Sequence, residues 1–267
     1  MSDILQDTPV PGVCRLTLNR PDKLNAFSYP MYVEFIDALE RLRFDAETRV
    51  VILTGAGRGF CSGHDIAGGG EPAWVSADLG KAQLTRAIVA KLGEIPLRLR
   101  NLPQPVICAV NGVTAGLGYA LTLACDMTLA ARSAKFVNAF HNAGTGHELG
   151  VSYMLPRAVG AQRAAELLLT SRPVLAEEAQ AIGLILRAVD DERLMDEALA
   201  LADQLLVNSP IGNALTKQSM WLNATAGSLE AAIELENRAI YMSQSTEDSA
   251  EKRRAFIEKR RPDFKNL

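Results

Sequence analysis

Apolar positions along the chain follow two periods, and the shorter one predicts strands. Cys14 to Leu18 alternates apolar and polar side chains, as a half-buried strand does. Continuous apolar runs predict buried strands at Val50–Leu53, Val106–Val110 and Met127–Ala131, and a further short strand is possible within Leu184–Val189. Because helical stretches separate these runs, the pattern favours an α/β fold.

The longer, helical period is clearest after Ser28, which can cap a helix whose first turn tolerates Pro30. The apolar stripe of this helix consists of Met31, Phe35, Ala38, Leu39 and Leu42. Further helices are predicted from Lys81 toward Gly93 with an interruption near Pro96, at Ala161–Leu169, Ala176–Ile182 and Asp191–Val207, from Ser209-Pro210, from Gly227-Ser228, and from Thr246 through Lys259.

Two stretches follow neither period. The segment from Phe136 to Gly150 is rich in His, Asn and Gly, which is typical of a structured loop. The segment from Ala67 to Gly80 contains several glycines and one proline, and we expect it to be flexible. It is either a lid over a site or an ordinary mobile loop.

The stretch from Asn111 to Asp126 joins a strand to a small-residue helix through a turn with three glycines. The first turn of a helix leaves backbone N–H groups unpaired and carries positive potential, so this corner can hold an anion or a developing oxyanion. A tight turn without a ligand explains the same pattern. The strand at Val50 leads into a second glycine-rich turn, Gly55–Ile66, and two such corners could supply two converging donors.

Composition restricts the class of protein. The 267 residues are 48% hydrophobic and 22% charged, with a net charge of −3, so neither a nucleic-acid partner nor a membrane surface is indicated. The first residues resemble no secretory leader, and no apolar run approaches the ~18 residues that span a bilayer. The four cysteines lack CxxC spacing, so we expect reduced thiols in a cytoplasmic protein.

Common site motifs are incomplete. Gly55 to Phe60 resembles GxGxxG but has Phe60 in place of the third glycine, and Gly59 to Gly63 reads GFCSG rather than GxSxG. A phosphate-binding GxxxxGK[ST] motif is absent. The three histidines, His64, His141 and His147, are not spaced as metal ligands, so no metal is expected.

Four blocks of the sequence resemble the crotonase family, the enoyl-CoA hydratase/isomerase superfamily. They are LTLNRPDKLNAF (16–27), VVILTGAGRGFCSGHDI (50–66), QPVICAVNGVTAGLGYALTLACDMTLAA (104–131) and SYMLPRAVGAQRAAELLLTSRPVLAEEAQAIGLILRAV (152–189), and the tail AFIEKRRPDF (255–264) fits too. The resemblance implies a spiral of β-β-α units over residues 1–200. It also implies a helical region over residues 201–267 that builds trimers or hexamers.

The resemblance also implies an acyl-CoA substrate whose thioester oxygen becomes an enolate held by two backbone N–H groups. The donors would be His64, after Gly63, and Leu117, after Gly116. Coenzyme A is part of the substrate, and no separate cofactor is implied. The residues implied to contact the substrate or its coenzyme A are Lys23, Leu24, Ala26, Ser62, Gly63, Asp65, Gly116 and Phe140. Phe256 and Lys259 in the basic tail either reach the nucleotide or belong to a solvated terminal helix.

The sequence departs from the family at its acid–base groups. Hydratases of the family use two glutamates, and the matching positions here are Ala120 and Phe140. One carboxylate remains nearby, Glu148, at a position where some family branches carry a single catalytic acid. Glu148 either moves a proton between two carbons or merely pairs within a polar loop, and His141 and His147 either tune it or are structural.

Three functions follow from this pattern. The favoured one is an enoyl-CoA isomerase with one carboxylate base, since a proton shuttle between two carbons needs one base. A hydratase or another lyase that uses Glu148 with an ordered water is the first alternative. The second is a non-catalytic protein that binds acyl-CoA.

Overall fold

Ten strands in two sheets organise the chain in the computed structural model, which describes residues 2–68, 72–76 and 78–266. The strands are β1 (Ile4–Val10), β2 (Val13–Leu18), β3 (Val50–Gly55), β4 (Gly59–Cys61), β5 (Val106–Val110), β6 (Val113–Ala115), β7 (Met127–Ala131), β8 (Lys135–Val137), β9 (Val174–Leu175) and β10 (Arg187–Val189). The larger sheet has the order β1-β2-β3-β5-β7-β10 and is parallel except for the β1–β2 pair. The smaller sheet has the order β4-β6-β8-β9, and only its β8–β9 pair is antiparallel.

Ten α-helices in the described residues connect and cover the sheets. They are α1 (Tyr29–Arg43), α2 (Lys81–Asn101), α3 (Leu117–Ala124), α4 (Val151–Val159), α5 (Ala161–Thr170), α6 (Ala176–Ala181), α7 (Leu194–Leu206), α8 (Pro210–Asn223), α9 (Leu229–Gln244) and α10 (Glu247–Glu258). None of the helices in the described part of the chain combines the length and apolar character needed to cross a membrane.

Successive strand pairs alternate between the sheets. The first members, β3, β5 and β7, lie in the larger sheet, and the second members, β4, β6 and β8, lie in the smaller one. A helix follows each pair, namely α2, α3 and α4. This is the spiral of β-β-α units that the sequence predicts, and the α/β fold class is confirmed.

The core lies between the larger sheet and its helices. Strands β3 and β5 are buried along their whole length, as expected for parallel strands covered on both faces. Helix α7 packs against β3, β5 and β7. The predicted division at residue 200 falls inside α7, and that division remains a prediction.

The predicted strands and helix starts are mostly confirmed. The Ser28 hydroxyl accepts a hydrogen bond from the Met31 N–H at 3.3 Å, and the predicted stripe of α1 is buried. Ser209, Ser228 and Thr246 cap α8, α9 and α10 in the same way. All four cysteines are buried and free.

Three predictions about local structure are wrong. Helix α2 runs through Pro96 without interruption because Leu92, Ile95 and Leu99 bury one continuous face around it. The turns after β3 and β5 contain the short strands β4 and β6, and the loop predicted from Phe136 begins within β8. These strands are too short to show a period, and their pairing is long-range. The sequence also gave no signal for β1 or α4.

Candidate active site

The two glycine-rich corners lie side by side. Strands β4 and β6 are parallel neighbours, so the segments after them, Ser62–His64 and Gly116–Leu117, leave the same edge of the smaller sheet. A Cβ atom built on Gly63 would lie 3.7 Å from the backbone N of Leu117. Gly63 and Gly116 have φ angles of +108° and +52°, which favour glycine. The structure therefore brings the two predicted donors into one place.

Hydrogen bonds around Phe27 orient the first donor. The Phe27 N–H donates to the Gly63 carbonyl at 2.8 Å, and the Asp65 N–H donates to the Phe27 carbonyl at 2.9 Å. These two bonds form a parallel β-bridge between Phe27 and His64. In such a bridge, Phe27 bonds to the residues before and after His64, and the N–H of His64 itself is directed to the other side of its strand. The N–H of His64 therefore points away from Phe27.

The second donor is the first residue of a helix. Leu117 begins α3, so its N–H belongs to the group that has no partner within the helix. Across residues 2–68, 72–76 and 78–266, neither the His64 nor the Leu117 N–H donates to a backbone carbonyl. Both are available to an acceptor, and the α3 dipole adds positive potential at Leu117.

Close backbone packing fixes the two corners relative to each other. A Cβ on Gly118 would lie 2.3 Å from the Cys61 carbonyl oxygen, so only glycine allows α3 to approach β4 this closely. The buried amide of Asn25 donates to the carbonyls of Ala56 and Gly59, at 2.9 and 2.7 Å. These bonds fix the turn between β3 and β4 to the segment that carries Asn25.

The predicted coenzyme A segments are adjacent. The Ser62 N–H donates to the Leu24 carbonyl at 3.0 Å, and the Ser62 hydroxyl donates to the Lys23 carbonyl at 3.2 Å. Lys23 is exposed, Leu24 is half-buried and Ala26 is buried. Contact of these residues with coenzyme A remains a prediction.

The Asp65 carboxylate is already hydrogen-bonded within the protein. Its carboxylate accepts hydrogen bonds from Arg20 Nη2 and the Gly68 N–H, both at 2.9 Å. The Arg20 guanidinium holds the pKa of this carboxyl below its usual range. Asp65 therefore shapes the turn after His64, and its predicted contact with the substrate would have to be made alongside these bonds.

Glu148 is half-buried on the segment between β8 and α4, just before Leu149 and Gly150, which both have positive φ. Burial raises the pKa of the Glu148 carboxyl. In the part of the chain that the structure describes, this carboxylate forms no salt bridge and accepts no hydrogen bond. The alternative that Glu148 pairs within a polar loop therefore receives no support.

Tyr32 packs beside His64, the residue that supplies the first donor. Its ring centroid lies 5.8 Å from that of His64, and the charge of Glu148 contributes to raising the pKa of the Tyr32 phenol. The sequence did not indicate Tyr32, although a tyrosine beside Met31 on a buried helix face brings a hydroxyl that needs a partner.

The positions of the two missing glutamates are apolar. Ala120 is buried in α3 and Phe140 is 6% exposed. The Phe140 ring lies edge-on to His147, 6.2 Å between centroids, and His147 lies 4.8 Å from His141. Burial and the nearby His141 lower the pKa of His147.

Aromatic rings surround the His64 imidazole. Tyr29 lies 5.1 Å from it and 5.5 Å from Trp74, so Trp74 of the Ala67–Gly80 segment packs on this side. Gly69 and Gly70 of the same segment lie outside the described residues. Burial lowers the pKa of His64.

The basic tail forms α10 and the residues after it. Phe256 is 81% exposed, and Lys259 follows the helix in a left-handed conformation with φ of +53°. Lys252 donates to the Val207 carbonyl at 2.5 Å and ties α10 to the end of α7. A role for Phe256 and Lys259 at the nucleotide remains a prediction.

Comparison with known proteins agrees with this arrangement. The family model described as enoyl-CoA hydratase/isomerase matches residues 10–266. A protein from Mycobacterium bovis named as a probable enoyl-CoA hydratase is 41% identical over 266 residues, covering 99% of this chain and 93% of its own. The 1,2-epoxyphenylacetyl-CoA isomerase of Escherichia coli is 39% identical and covers 95% of both chains.

A solved structure shows the same fold. The crystal structure of a probable enoyl-CoA hydratase/isomerase from Mycobacterium abscessus is 38% identical, with a TM-score of 0.92 over 99% of each chain. The present chain belongs to the enoyl-CoA hydratase/isomerase family, within the crotonase superfamily, and is an enzyme of that family. Crotonase-type acyl-CoA chemistry is thereby supported.

Proposed function

We propose that this protein is an enoyl-CoA isomerase that shifts a carbon–carbon double bond by way of an enolate. The observation that carries the proposal is the pair of adjacent, available backbone donors, His64 and Leu117, and it is supported by the half-buried carboxylate of Glu148, which has no salt-bridge partner among the described residues. One oxyanion site and one base are the minimum for this reaction.

The proposed reaction begins with a 3-enoyl-CoA. The ionised Glu148 takes a proton from C2, and the electron pair of that C–H bond moves into the thioester carbonyl. The resulting oxyanion accepts hydrogen bonds from the His64 and Leu117 N–H groups. The protonated Glu148 then returns the proton to C4, the double bond moves to C2–C3, and the carbonyl re-forms.

The environment of Glu148 suits this role. A carboxylate whose pKa is raised by burial is a stronger base than a solvated carboxylate, which favours removal of the weakly acidic proton from C2. Two preorganised N–H donors in comparable sites are worth ~3–4 kcal/mol each. The side chains of His64 and Leu117 need no part in the chemistry.

Hydration is the second candidate, because one relative is named as a probable hydratase. Adding water to a 2-enoyl-CoA in the usual way uses two carboxylates. Ala120 and Phe140 cannot serve, so Glu148 would have to activate an ordered water alone. Incubation with crotonyl-CoA and with a 3-enoyl-CoA, followed by separation of the products, distinguishes the two reactions.

The test is Glu148→Gln, which keeps the shape of the side chain and removes the base. We expect isomerisation of a 3-enoyl-CoA to fall by ~10²–10⁴-fold while the CoA ester still binds. Glu177→Gln is the matched control, since Glu177 is 74% exposed and pairs with Arg132 on the surface. Full activity of Glu148→Gln would refute the assignment.

We also propose that the chain forms a homotrimer or a hexamer. Helix α9 has no buried residue within a single chain, and its exposed apolar side chains are Leu229, Ile233, Ile240, Tyr241 and Met242. Of these, Leu229, Ile233 and Ile240 lie on one side of the helix, and exposed apolar side chains grouped in this way are typical of an interface. Light scattering with size-exclusion chromatography measures the mass directly, and a monomer would contradict this part of the proposal.

A further inference from the structure

The hydroxyl of Tyr32 is buried without a partner. Tyr32 lies in the first turn of α1 and is 0% exposed. Among the residues that the structure describes, no group accepts from or donates to its hydroxyl. Leaving such a group unpaired costs ~1–3 kcal/mol, and folded proteins seldom do so without a reason.

This hydroxyl belongs to the candidate active site. The Tyr32 ring packs beside the His64 imidazole, with 5.8 Å between the ring centroids. Burial is the largest cause of the raised pKa of the Tyr32 phenol, so the phenol keeps its proton at neutral pH and can only be a neutral donor or acceptor.

Two further unpartnered atoms belong to the same cluster. Within the described ranges, His64 Nδ1 and Trp74 Nε1 are also buried without a hydrogen-bond partner. Tyr29 lies between their rings, 5.1 Å from His64 and 5.5 Å from Trp74. Three polar atoms of this one aromatic cluster thus lack partners among the described residues.

A plain alkenyl chain in the proposed acyl site has no group that could pair with these three polar atoms. An acyl group with its own oxygen would satisfy at least the Tyr32 donor. We propose that Tyr32 is a specificity-determining residue whose O–H donates to a hydroxyl, oxo or ether oxygen on the acyl group, so that the preferred substrate is an oxygenated acyl-CoA. This inference rests on the proposed acyl-CoA site and adds the class of acyl group.

Two other partners for Tyr32 give different results. If the hydroxyl donates to the Glu148 carboxylate, removing it alters the pH profile for every substrate and leaves the preference among acyl groups unchanged. If it only holds a water molecule, removing it changes neither. Both results would contradict the proposal.

The test measures binding with two matched pairs of CoA thioesters by calorimetry. The pairs are butanoyl-CoA with 3-hydroxybutanoyl-CoA and pentanoyl-CoA with 4-hydroxypentanoyl-CoA. We expect the wild type to bind the hydroxy ester of at least one pair about 10-fold more tightly than its parent, and Tyr32→Phe to reduce that ratio to about one. Tyr119→Phe is the matched control, because Tyr119 is also buried with an unpartnered hydroxyl, near Arg172.

Equal binding of both members of each pair by the wild type would overturn the inference, as would a ratio that survives in Tyr32→Phe. Thermal unfolding of Tyr32→Phe shows whether the variant is folded before its ratio is compared. Binding of the parent esters, butanoyl-CoA and pentanoyl-CoA, tests the proposed acyl-CoA site independently of Tyr32. Their failure to bind the wild type would count against the proposed function, whereas a lost preference with intact parent binding counts only against the role of Tyr32.

Discussion

Gly63 and Gly116 face each other across the candidate site, and a Cβ atom added to Gly116 would lie 3.6 Å from the Cα of Gly63. The two residues precede His64 and Leu117, so this contact sets the spacing of the two donors. Because both glycines have positive φ angles, a side chain at either one strains the backbone that carries the donors. The geometry of the proposed oxyanion hole therefore depends on two residues that contribute no side chain.

Gly63→Ala should lower kcat for a 3-enoyl-CoA by about 100-fold, the usual effect of losing one oxyanion donor. The new Cβ would lie 3.2 Å from the Ala115 carbonyl oxygen, and alanine is strained at a φ of +108°. Steady-state kinetics check the loss. Gly93→Ala is the control, because a Cβ there meets nothing within 4 Å and should stabilise α2 by about 0.5–1 kcal/mol. Equal kcat values for the two variants would contradict the account.

Asn25→Ala should lower the free energy of unfolding by about 2–4 kcal/mol, since buried groups lose their partners. Besides its two donated bonds, Asn25 accepts from the Arg20 N–H at 2.8 Å and is fully buried. Urea unfolding measures the change. Asn101→Ala, at the exposed end of α2, should stay within about 0.5 kcal/mol of the wild type. A similarly small effect at Asn25 would show that the turn does not need its amide.

Lys217→Met should destabilise the fold by about 3–5 kcal/mol because it leaves a buried carboxylate without its cation. Lys217 is 5% exposed, and its Nζ lies 2.8 Å from Asp126 Oδ2 and donates to the carbonyls of Leu99 and Gln104. Asp126 ends the stretch that contains α3 and also accepts from Trp221 Nε1 at 2.8 Å. This cluster therefore ties α8 to α2 and β5.

A double-mutant cycle tests that coupling. Lys217→Met combined with Asp126→Asn should cost less than the sum of the two single changes, because the second removes the charge that the first leaves unpaired. Unfolding in urea gives all three values. Strict additivity would mean that the lysine and the aspartate do not stabilise each other.

Glu148→Gln should raise the Tm at pH 7 while it abolishes turnover. Because burial raises the pKa of Glu148 in the folded state above its ordinary value of 4.5, the folded state favours the protonated acid. Stability is therefore lost as pH rises through the raised pKa, and glutamine does not incur this loss. Calorimetry from pH 4 to pH 7 should show the Tm gap growing with pH. A gap that is constant or reversed would mean that the carboxylate is not buried as described.

The same shift sets the pH dependence of activity. The proposed base acts in its ionised form, so the rate should fall as pH drops through the raised pKa of Glu148. The acidic limb of kcat/KM should consequently lie at a higher pH than for a solvated glutamate. An acidic limb at or below 4.5 would contradict this expectation.

The regular parts of the fold could be predicted because they leave local patterns in the sequence. Buried parallel strands such as β3 and β5 are continuous apolar runs, and Ser28 marks the start of α1 with its own side chain. Strand β4 has three residues and depends on pairing with β6, more than 50 positions away. Pairing between residues so far apart leaves no periodic pattern in the sequence. Strand β8 was not predicted for the same reason.

The candidate site was predicted in part. Glycine spacing and the family resemblance indicated the two corners, and the structure places them together. The Tyr32 hydroxyl was not predicted, since its residue occupies a helix face that reads as ordinary core. The contact of Tyr29 with Trp74 joins residues 45 positions apart through a glycine-rich segment, and neither residue carries a motif.

The most direct test of the central claim is exchange of the α-protons of butanoyl-CoA in D₂O, followed by NMR. This ester has no double bond to move or hydrate, so exchange reports only a base and a stabilised enolate. We predict that the wild type catalyses the exchange and that Glu148→Gln, while still binding the ester, exchanges at least about 100-fold more slowly. Equal exchange rates for the two proteins would contradict the assignment of Glu148 as the base.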